Sequence, residues 1–262
     1  MTVVSLTSDW GLESHYTGTI KGLLHKLIPG VQIIDISHKI PPFSLLHTSF
    51  VLRNAYHWFP EGTIHLVCVN TEATETAPHI ALSCQGHYFI GADNGLFSLL
   101  FEQNPDEVVA IEPGPSDNES PVTSREVFAR TASQISKGMK LSQLGKVLNG
   151  PTQRFLFKPV VNPNHIIGKV IYVDEFENAY VNIDKPTFGQ ISGGRPFVIN
   201  LGLYNDRIDE LSEAYNDVPE GEKLARFGPT GCLEIAINRG KASSLLGLRL
   251  NDGVSIEFTD PT

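Results

Sequence analysis

Three polar residues stand where apolar runs stop. Residues 2–6 give way to Thr7-Ser8-Asp9, residues 31–36 to Ser37-His38, and residues 64–69 to Asn70. A carboxylate such as Asp9, placed after a strand and before a glycine turn and a helix, accepts two hydrogen bonds from a vicinal diol such as that of ribose. The same residue serves equally well as a helix N-cap or a turn aspartate. The segment Asp174-Glu175-Phe176-Glu177-Asn178, between two strand-like runs, reads either as a hairpin turn or as a ligand loop. Other chemistries lack support. No Gly-x-Gly-x-x-Gly follows the first strand, and no Walker loop or Gly-x-Ser-x-Gly elbow occurs. The nine histidines do not pair at metal spacing, so no metal site is expected. Cys68, Cys84 and Cys232 lie far apart and read as small buried hydrophobes.

The elements that must carry these residues follow from periodicity. From Tyr16 onward, Ile20, Leu23, Leu24, Leu27 and Ile28 share one helical face, closed by Pro29-Gly30. A strand over 31–36, a long helix over 43–59 ended by Pro60, and a strand over 64–69 come next. Strand, helix, strand, helix, strand with short connections predicts a mostly parallel sheet covered by helices, its carboxyl edge gathering Asp9, His38 and Asn70. A hairpin over 79–83 and 88–90, a helix from Asp93-Asn94-Gly95 through Phe101, a strand over 108–111 and a helix over 124–139 complete this part. Near 148–164 the composition shifts and the helical period stops. Beyond it lie short strands over 168–173, 179–183, 196–201, 223–227, 233–238 and 254–258, which predict an all-β, barrel-like domain. The expected organisation is an α/β domain over residues 1–155 and a β domain over 156–262.

Composition narrows the function classes. The 262 residues carry a net charge of −9 with 20 Lys and Arg scattered along the chain, which argues against nucleic acid as a partner. No apolar run reaches the ~18–20 residues that span a membrane, and no signal-peptide pattern opens the sequence. Sparse cysteines suit a reducing compartment, so a cytoplasmic protein is expected.

Taken together, the motifs resemble those of the SAM hydroxide adenosyltransferase (SAM hydrolase) family, which shares its fold with SAM-dependent fluorinases and chlorinases. Ser8-Asp9-Trp10-Gly11 with Tyr16 and Gly18 is similar to the family's T-D-F-G…Y-x-G, and Asp35-Ile36-Ser37-His38-Lys39-Ile40-Pro41-Pro42 to D-x-T-H-x-x-P-P. Gly91-Ala92-Asp93-Asn94-Gly95 resembles G-P-D-N-G, and Asp174-Glu175-Phe176-Glu177-Asn178 resembles D-x-F-G-N. Asp217-Val218-Pro219 and the run from Gly231 to Gly240 resemble D-V-P and G-Y-L-E-I-A-V-N-x-G.

The resemblance implies a homotrimer whose adenosyl ligand lies between one subunit's first domain and a neighbour's second, with S-adenosylmethionine as substrate or ligand and no separate cofactor. It further implies that Asp9 holds the ribose hydroxyls and that Tyr16 and Asn70 line the ligand. Asn178 and Glu234, with backbone near Ile237, would read the adenine edge; Phe176 would pack on the ligand and Asp174 would face the methionine end. The implied reaction is displacement at C5′ by water, giving adenosine and methionine.

The sequence departs from the family where water is activated. The family's Asp, Arg and His fall at Asn70, Ala77 and Thr123; an acid after the opening motif is replaced by Ser14, and a C-terminal serine by Pro229. Asn70 and Thr123 therefore stand as the candidate catalytic positions, able to bond water but not to take its proton near pH 7. Since such a triad contributes about 10²–10⁴-fold, a weakened or rebuilt water site is expected. Glu72, Glu75 and His79 are alternative bases, or simply a solvated loop. Two other functions stay open: a non-catalytic adenosine or SAM binder, and, behind it, halide-dependent adenosyl transfer using Thr123, Ser124 and Thr74.

Overall fold

A computed structural model describes residues 1–114, 122–155, 157–201 and 206–259. The chain divides into two compact units, Met1–Phe155 and Leu156–Thr262.

The first unit runs β1 (Val3–Ser8), α1 (His15–Leu27), β2 (Gln32–Ser37), α2 (Leu45–Arg53), β3 (Ile64–Cys68), β4 (His79–Cys84), β5 (His87–Ala92), α3 (Leu96–Leu100), β6 (Glu107–Ile111), α4 (Ser124–Ser136) and β7 (Gly145–Val147). Its sheet has the order β2-β1-β3-β5-β4-β6-β7. The pairs β2/β1, β1/β3 and β3/β5 are parallel, while β5/β4, β4/β6 and β6/β7 are antiparallel. The sheet is therefore mixed, not mostly parallel as the element order suggests. The cause is the tight β4–β5 hairpin, which turns at Gln85-Gly86 with both residues at positive φ and inserts β4 against β6.

Both faces of this sheet are covered. On one, Ile20, Leu24, Val127, Phe128 and Ala132 of α1 and α4 pack on Val4, Leu6 and Leu66; on the other, Leu52, Leu96, Phe97 and Leu100 pack on Val67, Ile80 and Phe89. This double burial explains why β1 and β3 read as unbroken apolar runs. The helix expected over 43–59 is shorter. It starts after Ser44, whose hydroxyl caps the His47 N–H, and stops at Arg53 because the Asn54 side chain bonds the Phe50 carbonyl; a separate 3-10 turn, Tyr56–Trp58, precedes Pro60.

The second unit contains β8 (Val160–Asn162), β9 (His165–Val173), β10 (Ala179–Asp184), α5 (Lys185–Ser192), β11 (Phe197–Leu201), β12 (Asp206–Ile208), β13 (Lys223–Phe227), β14 (Cys232–Ile237), α6 (Ala242–Leu246) and β15 (Gly253–Phe258). Its antiparallel sheet follows β12-β11-β15-β9-β10-β14-β13, with β8 added beside β9. A Leu211–Ala225 bridge and a 2.7 Å Lys223–Asp206 ion pair draw the ends together, so the sheet is nearly a closed barrel. Its core is Ile166, Val181, Ile199, Ile235 and Ile256 with Phe188 of α5. The two short helices correct the expectation that helix ends before residue 164. Helix α5 is built from local signals, with Asp184 as N-cap accepting from the Thr187 N–H, Pro186 in the first turn and Gly193 left-handed at the end.

Candidate functional site

In the first unit, the carboxyl edge of the sheet gathers the polar strand ends. Asp9 directly follows β1, and its Oδ2 accepts the backbone N–H groups of Phe43 at 3.0 Å and Asn70 at 3.4 Å. Phe43 (φ 63°) and Asn70 (φ 48°) both hold left-handed backbones, an ordinary conformation for Asn and a strained one for Phe. The second carboxylate oxygen, Oδ1, receives no hydrogen bond among the described residues and remains available to a diol. Phe43 is 70% exposed beside it.

The motifs around Asp9 act as its scaffold. The Ser8 hydroxyl lies 2.6 Å from His38 Nδ1, and His38 Nε2 lies 3.1 Å from Asp35 Oδ1, which is paired in turn with Lys21 through the other oxygen at 2.6 Å. The Gly11 N–H donates to the His38 carbonyl and the Ile40 N–H to the Ser8 carbonyl, so the turn after β2 is laced to the turn after β1. On the other side, the Asn94 amide donates to the carbonyls of Val69 and Asn70, holding the loop after β3. Asp93 receives the backbone N–H and hydroxyl of Thr152. Asn70 thus acts through its backbone in two directions, while its side chain makes no hydrogen bond among the described residues.

Thr123 is the N-cap of α4. Its hydroxyl donates to Glu126 at 2.8 Å and accepts from the Glu126 N–H, a reciprocal capping box that commits its proton within the helix. The same bonds to Thr123 hold the Glu126 carboxyl below its usual range. Ser124 donates to the Thr71 hydroxyl at 3.1 Å, and His79 Nε2 donates to the Thr71 carbonyl. Burial lowers the His79 pKa, and its Nε2–H serves the Thr71 carbonyl. Glu72 and Glu75 are exposed. Ser14 caps α1 by accepting from the Tyr16 N–H. Tyr16 stands edge-on to Trp10, with ring centroids 5.8 Å apart, and the Arg125 guanidinium carbon lies over the Tyr16 ring, 4.6 Å from its centroid.

The second unit has a cluster of its own. Asp174 organises the β9–β10 turn: Oδ1 accepts the N–H groups of Phe176 and Asn178, and Oδ2 accepts the Asn178 amide and the Tyr180 hydroxyl. Because the amide nitrogen of Asn178 faces a carboxylate, its Oδ1 points the other way as an acceptor. Phe176, at the tip, is 77% exposed. Glu234 on β14 is 2% exposed, and burial raises its pKa even though the Tyr215 hydroxyl donates to Oε1 at 2.6 Å and Arg226 Nε approaches Oε2 at 3.7 Å. Asp217 fixes this arrangement by accepting the N–H groups of Glu213 and Ala214, which closes the 3-10 turn carrying Tyr215. A Cβ at Gly228 would stand 3.0 Å from Glu234 Oε2. Ile237 is buried, and its carbonyl accepts from the Gly240 N–H.

The expected residues therefore form two groups. Asp9, Tyr16, Asn70 and Thr123 belong to the first unit, Asp9 and Asn70 being in direct contact; Asp174, Phe176, Asn178, Glu234 and Ile237 belong to the second, where Asp174 touches both Phe176 and Asn178. Sequence reasoning missed Phe43, Tyr215, Arg226 and the stacking of Arg125. Nothing local marks Phe43, since its left-handed backbone is imposed by the loop it closes.

Comparison with known proteins places this arrangement in context. Residues 4–145 match the SAM hydroxide adenosyltransferase N-terminal domain and residues 168–255 the SAM hydroxide adenosyltransferase C-terminal domain. The chain is 29% identical over 260 residues to an (R)-S-adenosyl-L-methionine hydrolase of Thermus thermophilus, covering 95% of this chain and 97% of that one. It is 24% identical to a fluorinase of Nocardia brasiliensis, covering 97% and 96% respectively. A crystal structure of an uncharacterized conserved protein from Thermotoga maritima superposes with a TM-score of 0.85 at 31% identity, over 97% of this chain and 99% of that one. With both domains matched in order, the chain belongs to the SAM hydroxide adenosyltransferase family.

Proposed function

We propose that the protein cleaves S-adenosylmethionine with water to adenosine and methionine. The oxygen of water attacks C5′, the carbon–sulfur bond breaks, its electron pair returns to sulfur to leave the neutral thioether of methionine, and one proton is released. The sulfonium is a good leaving group, so the protein's main tasks are to align the reactants and exclude bulk water. The observation that carries the reading is the Asp9 carboxylate, with one oxygen held by the Phe43 and Asn70 N–H groups and the other left to accept from a ribose diol. Family membership and the similarity to a SAM hydrolase support the same choice.

In this reading Asn178 Oδ1 accepts from the adenine amine, Glu234 and the backbone near Ile237 complete the purine edge, and Phe176 covers the ligand. Asp174 shapes the loop rather than meeting the methionine end directly, because four donors already occupy its oxygens. The assembly we propose is a homotrimer, a neighbouring copy supplying the purine contacts. Asn70 holds Asp9 through its backbone and offers its amide to water, while Thr123, its proton given to Glu126, offers water only an acceptor lone pair. No strong base meets the attacking water in this scheme, and turnover is slow.

The specific alternative is binding without cleavage, favoured by that same commitment of Thr123. Reaction in heavy-oxygen water, read by mass spectrometry, tests the proposal. Hydrolysis puts solvent oxygen at C5′ of adenosine; intact S-adenosylmethionine supports the binder; a 5′-halogenated nucleoside formed in added halide supports halide transfer.

A further inference from the structure

Arg125, at the first unit's ligand edge, has a buried guanidinium nitrogen, Nε, with no acceptor among the described residues. It lies in the first turn of α4, its guanidinium carbon 4.6 Å from the Tyr16 ring centroid. Among the described residues this Nε has no hydrogen-bond partner and the side chain makes no ion pair. The nearest acid on its own helix, Glu126, is turned back to the Thr123 hydroxyl and N–H. The Asp9 N–H donates to the Cys68 carbonyl at the end of β3 at 3.4 Å, and both Asp9 and Arg125 act electrostatically on the Cys68 thiol. The side chain is half-buried; stacking on a tyrosine does not replace the hydrogen bond its buried Nε forgoes, and a guanidinium so placed gains from a bidentate anion.

S-adenosylmethionine offers one anion, its amino-acid carboxylate, while its sulfonium would repel a guanidinium. We propose that Arg125 holds the amino-acid carboxylate of the ligand, and thereby selects adenosyl ligands that carry one. This rests on the adenosyl reading of the site. It gives Arg125 a role that neither Ala77 nor Ser14, both short neutral side chains, can fill.

Calorimetry on the whole chain tests the proposal with three ligands that the reaction does not consume: S-adenosylhomocysteine, its decarboxylated analogue S-adenosyl-3-thiopropylamine, and adenosine. The wild type is expected to bind the carboxylate-bearing ligand roughly 10- to 100-fold tighter than the decarboxylated one, as for a charge-assisted pair. In Arg125→Gln the two should fall within about threefold of each other. Arg125→Lys should keep part of the preference, and adenosine affinity should be unchanged in both variants. A wild type without the preference, an Arg125→Gln that keeps it, or equal weakening of all three ligands would overturn the assignment. If the wild type binds none of the three, the adenosyl reading falls with it; adenosine bound without discrimination sinks the Arg125 assignment alone.

Discussion

The backbone N–H of Phe43 donates to the Asp9 carboxylate at 3.0 Å from a left-handed conformation, φ 63°. A bulky residue in that region costs about 1–2 kcal/mol, and such strain concentrates at functional sites. Here it aims an amide at the one carboxylate that ends the first strand. Asp9 is thereby held in place before any ligand arrives, at a local cost borne by a residue that buries little of its own surface.

Asp9→Ala should weaken adenosine binding by about 1.5–3 kcal/mol, the range for a lost charge-assisted hydrogen bond. Isothermal titration with adenosine checks this. Unchanged affinity would place the ribose elsewhere.

At Asn70 the backbone and side-chain roles separate. Asn70→Gly keeps the left-handed turn and the N–H to Asp9, so adenosine affinity should stay within about threefold while cleavage slows. Asn70→Val forces a β-branched residue to positive φ and should cost roughly 1–3 kcal/mol of stability, with lost affinity. Thermal unfolding and titration of the two variants read both effects.

Much of this was legible in the sequence because it is local. Apolar runs ending at Asp9, His38 and Asn70 give the strands and place their polar ends on one edge. The mixed character of the sheet was not legible, since a hairpin does not reveal which side of β5 takes β4. The break after Arg53 depends on a side-chain bond from Asn54 to the Phe50 carbonyl, which competes with a helical period that continues to Phe59. The roles of Tyr215 and Arg226 at Glu234, and of Arg125 at Tyr16, come from elements distant in the chain or from a packing geometry that spacing does not encode.

Glu234 gives a pH signature. Burial raises its pKa, so the folded state holds a proton more tightly than the unfolded chain. Stability from this group is full below the ordinary carboxylate pKa and declines as pH rises through the raised one. Glu234→Gln should flatten that slope in denaturant midpoints, and Tyr215→Phe, which removes the hydrogen bond favouring the anion, should steepen it.

A second titration works in the opposite direction. His65 is fully buried, with Nδ1 2.6 Å from the Ser5 hydroxyl and Nε2 3.3 Å from His87 Nδ1; burial depresses its pKa to about 3, and His87 adds to the shift. The unfolded chain therefore binds the proton more readily, and stability falls as pH drops below about 6.5, by up to about 5 kcal/mol near pH 3. Urea midpoints across that range should decline in the wild type and less so in His65→Gln.

The central claim is that the protein turns S-adenosylmethionine over with water. A chromatographic time course of the purified wild type with excess S-adenosylmethionine tests it most directly. Equimolar adenosine and methionine, accumulating beyond the protein concentration and slowed by Asp9→Ala, is the predicted result. Substrate that survives prolonged incubation with stoichiometric protein, no faster to decay than in buffer, would contradict it.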